Sequence, residues 1–301
     1  MKMWIKSLVV LMLCASTLHA NASTLTIGRV SNDPQKTHKQ LKPILDYVVN
    51  KLGDVGVNEG AIRIAKDHNE MVDYLREGKV DWVQKGVFDA LIYQQQAGAE
   101  IALRSWRQQA PNYYTVFFSR KDSSISTVKD LIGKKIAFQD KGSTSAFFIP
   151  YAILKKAGFE LIELSSPRDK APAGKISYVF AGKELSITTW VHRGLADAGA
   201  YHNQNWADPG DNPTAMKNDL RIFYQGKPMP RMIELFSKDL DPKIKAKLRF
   251  VLLHAHEDPA AQAALKAYGP DTAKFDEFKG KAKEELTESM SLAKFMDLAE
   301  Q

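Results

Sequence analysis

Phe138-Gln139-Asp140-Lys141-Gly142-Ser143-Thr144-Ser145 runs from the end of an apolar segment through a glycine into three consecutive hydroxyl residues. Lys135 to Gln139 reads as a strand and Ser143 to Ala157 as a helix stopped by Gly158, so the octet is a strand-turn-helix junction. A helix start leaves its first N–H groups without intrahelical acceptors and carries the positive end of the helix dipole. Three hydroxyls placed there make a cradle for an anion. Plain capping by Ser143 or Thr144 is the simpler use of the same residues. No Gly-Lys-Ser/Thr follows the glycine, which excludes a Walker phosphate loop.

The same strand-then-helix alternation extends outward in both directions. Upstream, Leu25 to Ile27, Ala61 to Ala65, Val80 to Gln84, Ile101 to Trp106 and Tyr113 to Ser119 read as strands. Leu41, Ile44, Leu45, Val48, Val49 and Leu52 form the apolar stripe of a helix in which Pro43 is expected in the first turn and Gly53 after the end. Asn69 to Glu77, capped by Asn69, and Asp89 to Gln96, stopped by Gly98, read as two further helices. Downstream, Ser126 to Ile132 reads as a short helix, Ile176 to Phe180 as a strand, the region of Ser186 to Arg193 as a helix, and Ala196 to Ala200 as a strand. Asn203 to Pro213 is loop by composition, Leu220 to Tyr224 a last strand, and from Pro230 onward every pattern is helical. Two α/β blocks joined by extended segments imply a cleft, with ligands beyond the carboxyl ends of the strands.

Composition sets the class. Of 301 residues, 44% are apolar and 26% charged, a balance that excludes a disordered chain or a multispan membrane protein. Lys2 and Lys6 precede a short apolar run, and Ala20-Asn21-Ala22 supplies a small-residue cleavage site, so residues 1–22 are expected to be a secretory leader. The leader carries two lysines and no acid, which lowers the net charge from +7 to +5 on removal. It also takes Cys14, the only cysteine; Leu13 is too bulky for a lipoprotein site there. A mature chain without thiols suits an oxidising compartment and excludes disulfides and thiol catalysis. Surplus positive charge favours small anions, but no basic run reaches five residues, so nucleic acid is not an expected partner.

Other candidate site residues stand at strand ends. Lys85 follows Val80 to Gln84, and Lys183 follows the strand ending in Phe180, with Glu184 beside it. Tyr113 is the aromatic residue best placed to send a hydroxyl into a cleft. The histidines are scattered, His254 and His256 are two apart in a helical pattern, and no metal site, cofactor motif or activated nucleophile is expected.

Several segments taken together resemble one family. Gly78-Lys79-Val80-Asp81, Tyr113-Tyr114-Thr115-Val116 leading to Arg120-Lys121-Asp122-Ser123, Asp130-Leu131-Ile132-Gly133-Lys134-Lys135, Gly142-Ser143-Thr144-Ser145 with Pro150, and Ala196-Asp197-Ala198-Gly199 are similar to the phosphonate-, phosphite- and phosphate-binding proteins of ABC importers, the PhnD-like family. The resemblance implies an α/β, type II periplasmic-binding-protein fold with two lobes, a two-segment hinge and a ligand trapped between the lobes by closure. It implies lobe 1 from residues 23–118 and 220–301, and lobe 2 from 119–219. It implies that Ser143, Thr144 and Ser145 hold phosphoryl or phosphonyl oxygens, that Tyr113 lies near the crossing, and that the protein is not an enzyme but a periplasmic monomer serving an ABC permease or, alternatively, a membrane receptor. The chain departs from the family pattern at Lys85, at Gly182-Lys183-Glu184 and at Ala146. If both lysines face the cleft, they favour phosphate, phosphite or a small phosphonate over an aminoalkylphosphonate, with Glu184 accepting a proton-bearing oxygen.

Overall fold

This computed structural model describes residues 23–107, 109–269 and 271–300, so the expected leader at 1–22 lies outside the described residues. The chain first forms β1 (Ser23–Val30), α1 (Pro34–Lys51), β2 (Val57–Ala65), α2 (His68–Arg76), β3 (Trp82–Lys85), α3 (Val87–Ala97) and β4 (Glu100–Arg107), then crosses through β5 (Asn112–Tyr113). It continues as β6 (Thr115–Arg120), β7 (Lys135–Phe138), α4 (Ile149–Lys156), β8 (Leu161–Glu163), β9 (Ile176–Phe180), α5 (Glu184–His192), β10 (Ala198–His202), α6 (Asn203–Ala207), α7 (Thr214–Lys217) and β11 (Leu220–Gln225). It returns through β12 (Met229–Pro230) to β13 (Met232–Phe236), α8 (Pro242–His254), α9 (Gln262–Tyr268), β14 (Thr272–Asp276) and α10 (Lys281–Glu300).

Two six-stranded sheets result. Lobe 1 has the order β14-β4-β13-β3-β1-β2 and lobe 2 the order β11-β6-β10-β7-β9-β8, while β5 and β12 pair between them. In lobe 1, β1 is parallel to β2 and β3, and β13 inserts antiparallel between β3 and β4. Three strands of one direction therefore end together, and the chain entering β13 starts at the same edge. In lobe 2, β7, β8, β9 and β10 run parallel, β6 lies antiparallel beside β10, and β11 pairs antiparallel with the far side of β6.

Packing follows the sequence in most places. In α1, Thr37, Leu41, Ile44, Leu45 and Val48 turn one buried face onto the sheet. The helix starts earlier than expected, because the Asp33 carboxylate accepts from Lys36 N at 3.0 Å and Pro34 occupies the first turn. Pro43 therefore sits in the helix interior and not in its first turn. One lost hydrogen bond is outweighed by two turns of capped, well-packed helix. Gly98 closes α3 as expected, with φ of 70°.

Three expectations are corrected. The residues after Pro230 are not uniformly helical, since β13 and β14 both join the lobe 1 sheet. Residues 115–118 and 220–225 do not belong to lobe 1: β6 and β11 pair with each other, and β6 with β10, in the second sheet. The run from Tyr113 to Ser119 is broken at Tyr114, whose N–H donates to the Asn203 side-chain oxygen instead of a sheet neighbour. The crossings are thus at the β5 and β12 pair. Tyr113, Ile149 and Met229 are buried at this crossing with Phe88, Ile153 and Leu292 against them, so residues of both lobes and of α10 meet there.

Candidate functional site

The Ser-Thr-Ser segment stands where β7 delivers it, at the face of lobe 2 that meets lobe 1. Residues Thr144–Phe148 form a π-helical turn ahead of α4, with Phe148 N donating to the Ser143 carbonyl at 3.0 Å. Such wide turns are frequent at functional sites, and here one opens the helix start further than an α-turn would. Ser143 caps the turn, its hydroxyl oxygen accepting from Ala146 N at 3.2 Å. Its proton stays free to be donated elsewhere. Ser145 is fixed through its carbonyl, which accepts from the Thr115 hydroxyl at 3.2 Å. Thr144 reaches across: a methyl group placed on Gly86 would lie 3.7 Å from its hydroxyl oxygen. The Phe88 and Phe148 rings stack beside this contact at 5.3 Å, and a cavity of about 270 Å3 opens between His68 and Asp89 of lobe 1 and Gly142 and Thr144 of lobe 2.

Lys85 closes β3 at this junction, and Asp89 one turn further on takes up its charge at 3.5 Å. Burial pushes the Asp89 carboxyl up, but the hydrogen bond from His68 and the charge of Lys85 outweigh it and leave the group below its ordinary value. Tyr113 is buried at the crossing, 5.5 Å from the His202 ring in an edge-on contact, and burial first, then Asp89, push its phenol up against the opposing pull of Arg231 and Arg107. Lys183 and Glu184 begin α5 on the lobe 2 side, where Gly182 N donates to the Gln139 carbonyl and so ties their loop to the Ser-Thr-Ser loop. Lys183 is exposed. The Glu184 carboxyl is pushed up by burial, then by Asp211 and Asp140 nearby.

Four residues at the strand ends have no counterpart among the sequence candidates. Arg29 is the penultimate residue of β1, Arg107 ends β4, Arg231 precedes β13, and His202 ends β10. Arg29 donates to Gln40 Oε1 at 2.8 Å and to the Tyr268 carbonyl at 3.0 Å, and Arg107 donates from Nη2 to Gln84 Oε1 at 3.3 Å. The Arg107 guanidinium is pushed down to about 10 by burial, then by Arg231 and Arg29. Arg231 is lowered by burial as well. Arg107 Nε and Arg231 Nη1 are buried and have no hydrogen-bond acceptor among the described residues. Beneath them Glu234, fully buried, accepts from Trp82 Nε1 at 2.7 Å, Gln84 Nε2 at 2.8 Å and the Tyr268 hydroxyl at 2.8 Å. His202 is pushed down to about 3 by burial, then by Arg231, and its unprotonated Nδ1 accepts from Gln204 N and Asn205 N at the start of α6. A usable signal was present: charged residues closing apolar strands at the carboxyl edge.

Residues 30–282 match the model of the ABC transporter phosphonate periplasmic substrate-binding proteins. The phosphate-import protein PhnD of Mycolicibacterium smegmatis is 28% identical over 190 residues, 62% of this chain and 57% of its own length. The chain thus spans little more than half of that relative. XAC2383 of Xanthomonas citri, solved with chloride and with ATP, is 35% identical over 91% of this chain and 98 to 99% of its own, with a TM-score of 0.81. PhnD1 of Prochlorococcus marinus, solved with methylphosphonate, shares the fold at 18% identity and a TM-score of 0.62, covering 92% of this chain and 99% of its own. The two lobes are those of a type II periplasmic binding protein.

Proposed function

The chain belongs to the periplasmic substrate-binding proteins of phosphonate ABC transporters, and on that premise we propose that it captures a small phosphorus oxyanion between its lobes and delivers it, as a monomer, to a membrane permease. The observation that carries this reading is the meeting of Thr144, at the head of the π-helical turn, with Gly86 of the opposite lobe. Hydroxyls and helix-start N–H groups on lobe 2 supply the donors that hold the oxyanion's oxygens. Tyr113 is buried at the crossing beside Phe88, and Lys85 is held by Asp89, which lines the cavity between the lobes. The ligands named for the relatives, phosphate, methylphosphonate and ATP, share phosphorus-bound oxygens, which such donors recognise. Glu184 and Lys183 stand at the outer end of this face, where they read the remainder of the ligand. Export would follow cleavage after Ala22.

Replacing Ser143, Thr144 and Ser145 together by Ala tests the reading. Saturating ligand at a hundred times its dissociation constant adds about 2.7 kcal/mol to stability. The triple variant should fold, lose about 1 kcal/mol through the cap, and show no thermal shift with phosphate or methylphosphonate. Wild-type binding by the folded triple variant would reduce the motif to a cap.

A further inference from the structure

The lobe 1 face carries more positive charge than one oxyanion needs. Arg29, Arg107 and Arg231 converge on it: Arg29 donates to the Tyr268 carbonyl at 3.0 Å, a methyl group placed on the adjoining Gly269 would lie 3.0 Å from Arg107 Nη2, and Arg231 leads into β13, which pairs with the β4 strand that Arg107 closes. The acid under them is Glu234, which is already engaged by Trp82, Gln84 and Tyr268. Even with Glu234 ionised, three guanidiniums oppose one carboxylate. Lys85 does not add to the surplus because Asp89 holds it. Buried positive charge without a partner is costly, and an unpaired buried donor costs more again. Here both conditions meet at Arg107 Nε and Arg231 Nη1.

The arginines and the Ser-Thr-Ser turn do not occupy one spot. The turn contacts the β3 to α3 junction at Gly86, whereas Arg231 follows β12 at the crossing, where its N–H donates to the Pro111 carbonyl at 3.1 Å. Resting on the proposed function, we propose that the arginine cluster is a second anion subsite, and that the ligand is a phosphorus oxyanion carrying a further anionic group, such as a phosphonocarboxylate or a diphosphate. One group sits on the hydroxyl turn of lobe 2 and the other on the guanidiniums of lobe 1. A ligand with a charged group at each end would also hold the two lobes together directly, which a single small oxyanion does less well.

Titration calorimetry of the ligand-stripped protein against phosphate, methylphosphonate, phosphonoacetate and pyrophosphate tests the subsite. At least one of the two doubly anionic probes should bind ten-fold or more tightly than methylphosphonate. Arg231→Gln and Arg107→Gln, each checked for a retained fold, should erase that advantage while changing methylphosphonate affinity by less than about three-fold. If methylphosphonate binds and neither doubly anionic probe gains, the second subsite is overturned and the proposed function stands. If the arginine variants weaken all probes equally, the guanidiniums hold the single oxyanion and the subsite is again overturned. If none of the four binds, both readings fall.

Discussion

Arg29, Arg107 and Arg231 of lobe 1 come from the carboxyl-terminal ends of β1 and β4 and from just ahead of β13, whereas Gly142 to Ser145 of lobe 2 are consecutive. The interiors differ in the same sense. Lobe 1 buries a carboxylate and its donors under the arginines, while lobe 2 fills its core with aromatic contacts such as Phe138 with Phe147 and Phe147 with Phe180. The contrast has a physical origin. Neutral hydroxyl donors need only a turn of the right shape, which a short segment specifies alone. Clustered guanidiniums repel one another and must be braced from below, and only a sheet that gathers distant strands can do this. On the proposed function, lobe 2 offers a local anion site and lobe 1 a charged one that depends on the whole fold.

The largest expected effect tests that dependence. Glu234→Leu leaves Trp82 Nε1, Gln84 Nε2 and the Tyr268 hydroxyl without their acceptor and removes the charge facing Arg107. A cost of about 3 to 5 kcal/mol is expected, lowering the thermal midpoint by roughly 5 to 10 °C. The matching change in lobe 2 is Thr188→Val, which loses contacts to the Tyr201 hydroxyl and the Asp211 carbonyl. It should cost only about 1 kcal/mol. Equal losses in the two variants would break the comparison.

That asymmetry also decides what was legible in the sequence. The strand-turn-helix junction at Phe138 to Ser145 was readable because its residues are neighbours in both sequence and space. The Gly98 stop and the apolar face of α1 were readable for the same reason. The segment Met232–Phe236 was not: an apolar run holding a Glu, just after a proline, reads as well for a helix as for a strand. It becomes a strand because β3 and β4, more than a hundred residues earlier, leave a place between them and because Trp82 and Gln84 supply donors for Glu234. The arginines follow from that placement and could be recognised as a group only once it was known. Lys85 and Lys183 were conspicuous in sequence, yet Asp89 takes up the charge of the first and the second is exposed.

His202 joins the two faces, and its pH response sharpens the comparison. Its pKa in the folded protein is about 3, against 6.5 for the free side chain. Above pH 6.5 both states are neutral and the residue has no effect. As the pH falls from 6.5 toward 3, the unfolded chain takes a proton that the folded one refuses, so stability is lost at up to about 1.4 kcal/mol per pH unit. His202→Asn keeps a capping side chain for α6 and removes the titration. Urea unfolding at pH 6.5 and pH 5 should show the wild type losing roughly 1 to 2 kcal/mol more than the variant. Parallel losses would mean that burial and Arg231 do not hold the imidazole neutral.

The smallest expected change in stability separates two roles of one hydroxyl. Ser143 accepts from Ala146 N, a role that any short acceptor fills, and in the proposed function its proton also points to the ligand. Ser143→Asp retains the acceptor and suits the helix dipole, so stability should stay within about 0.5 kcal/mol of wild type. The new carboxylate, however, stands where an oxyanion is to be held and has no proton to give. Phosphate affinity should therefore fall by well over ten-fold in a fully folded protein. Ser143→Ala should do the reverse in kind, losing about 1 kcal/mol of stability and less affinity, because the neighbouring hydroxyls and N–H groups remain. Unchanged phosphate binding by Ser143→Asp would show that the turn of lobe 2 is a cap alone, and would leave recognition to the arginines of lobe 1.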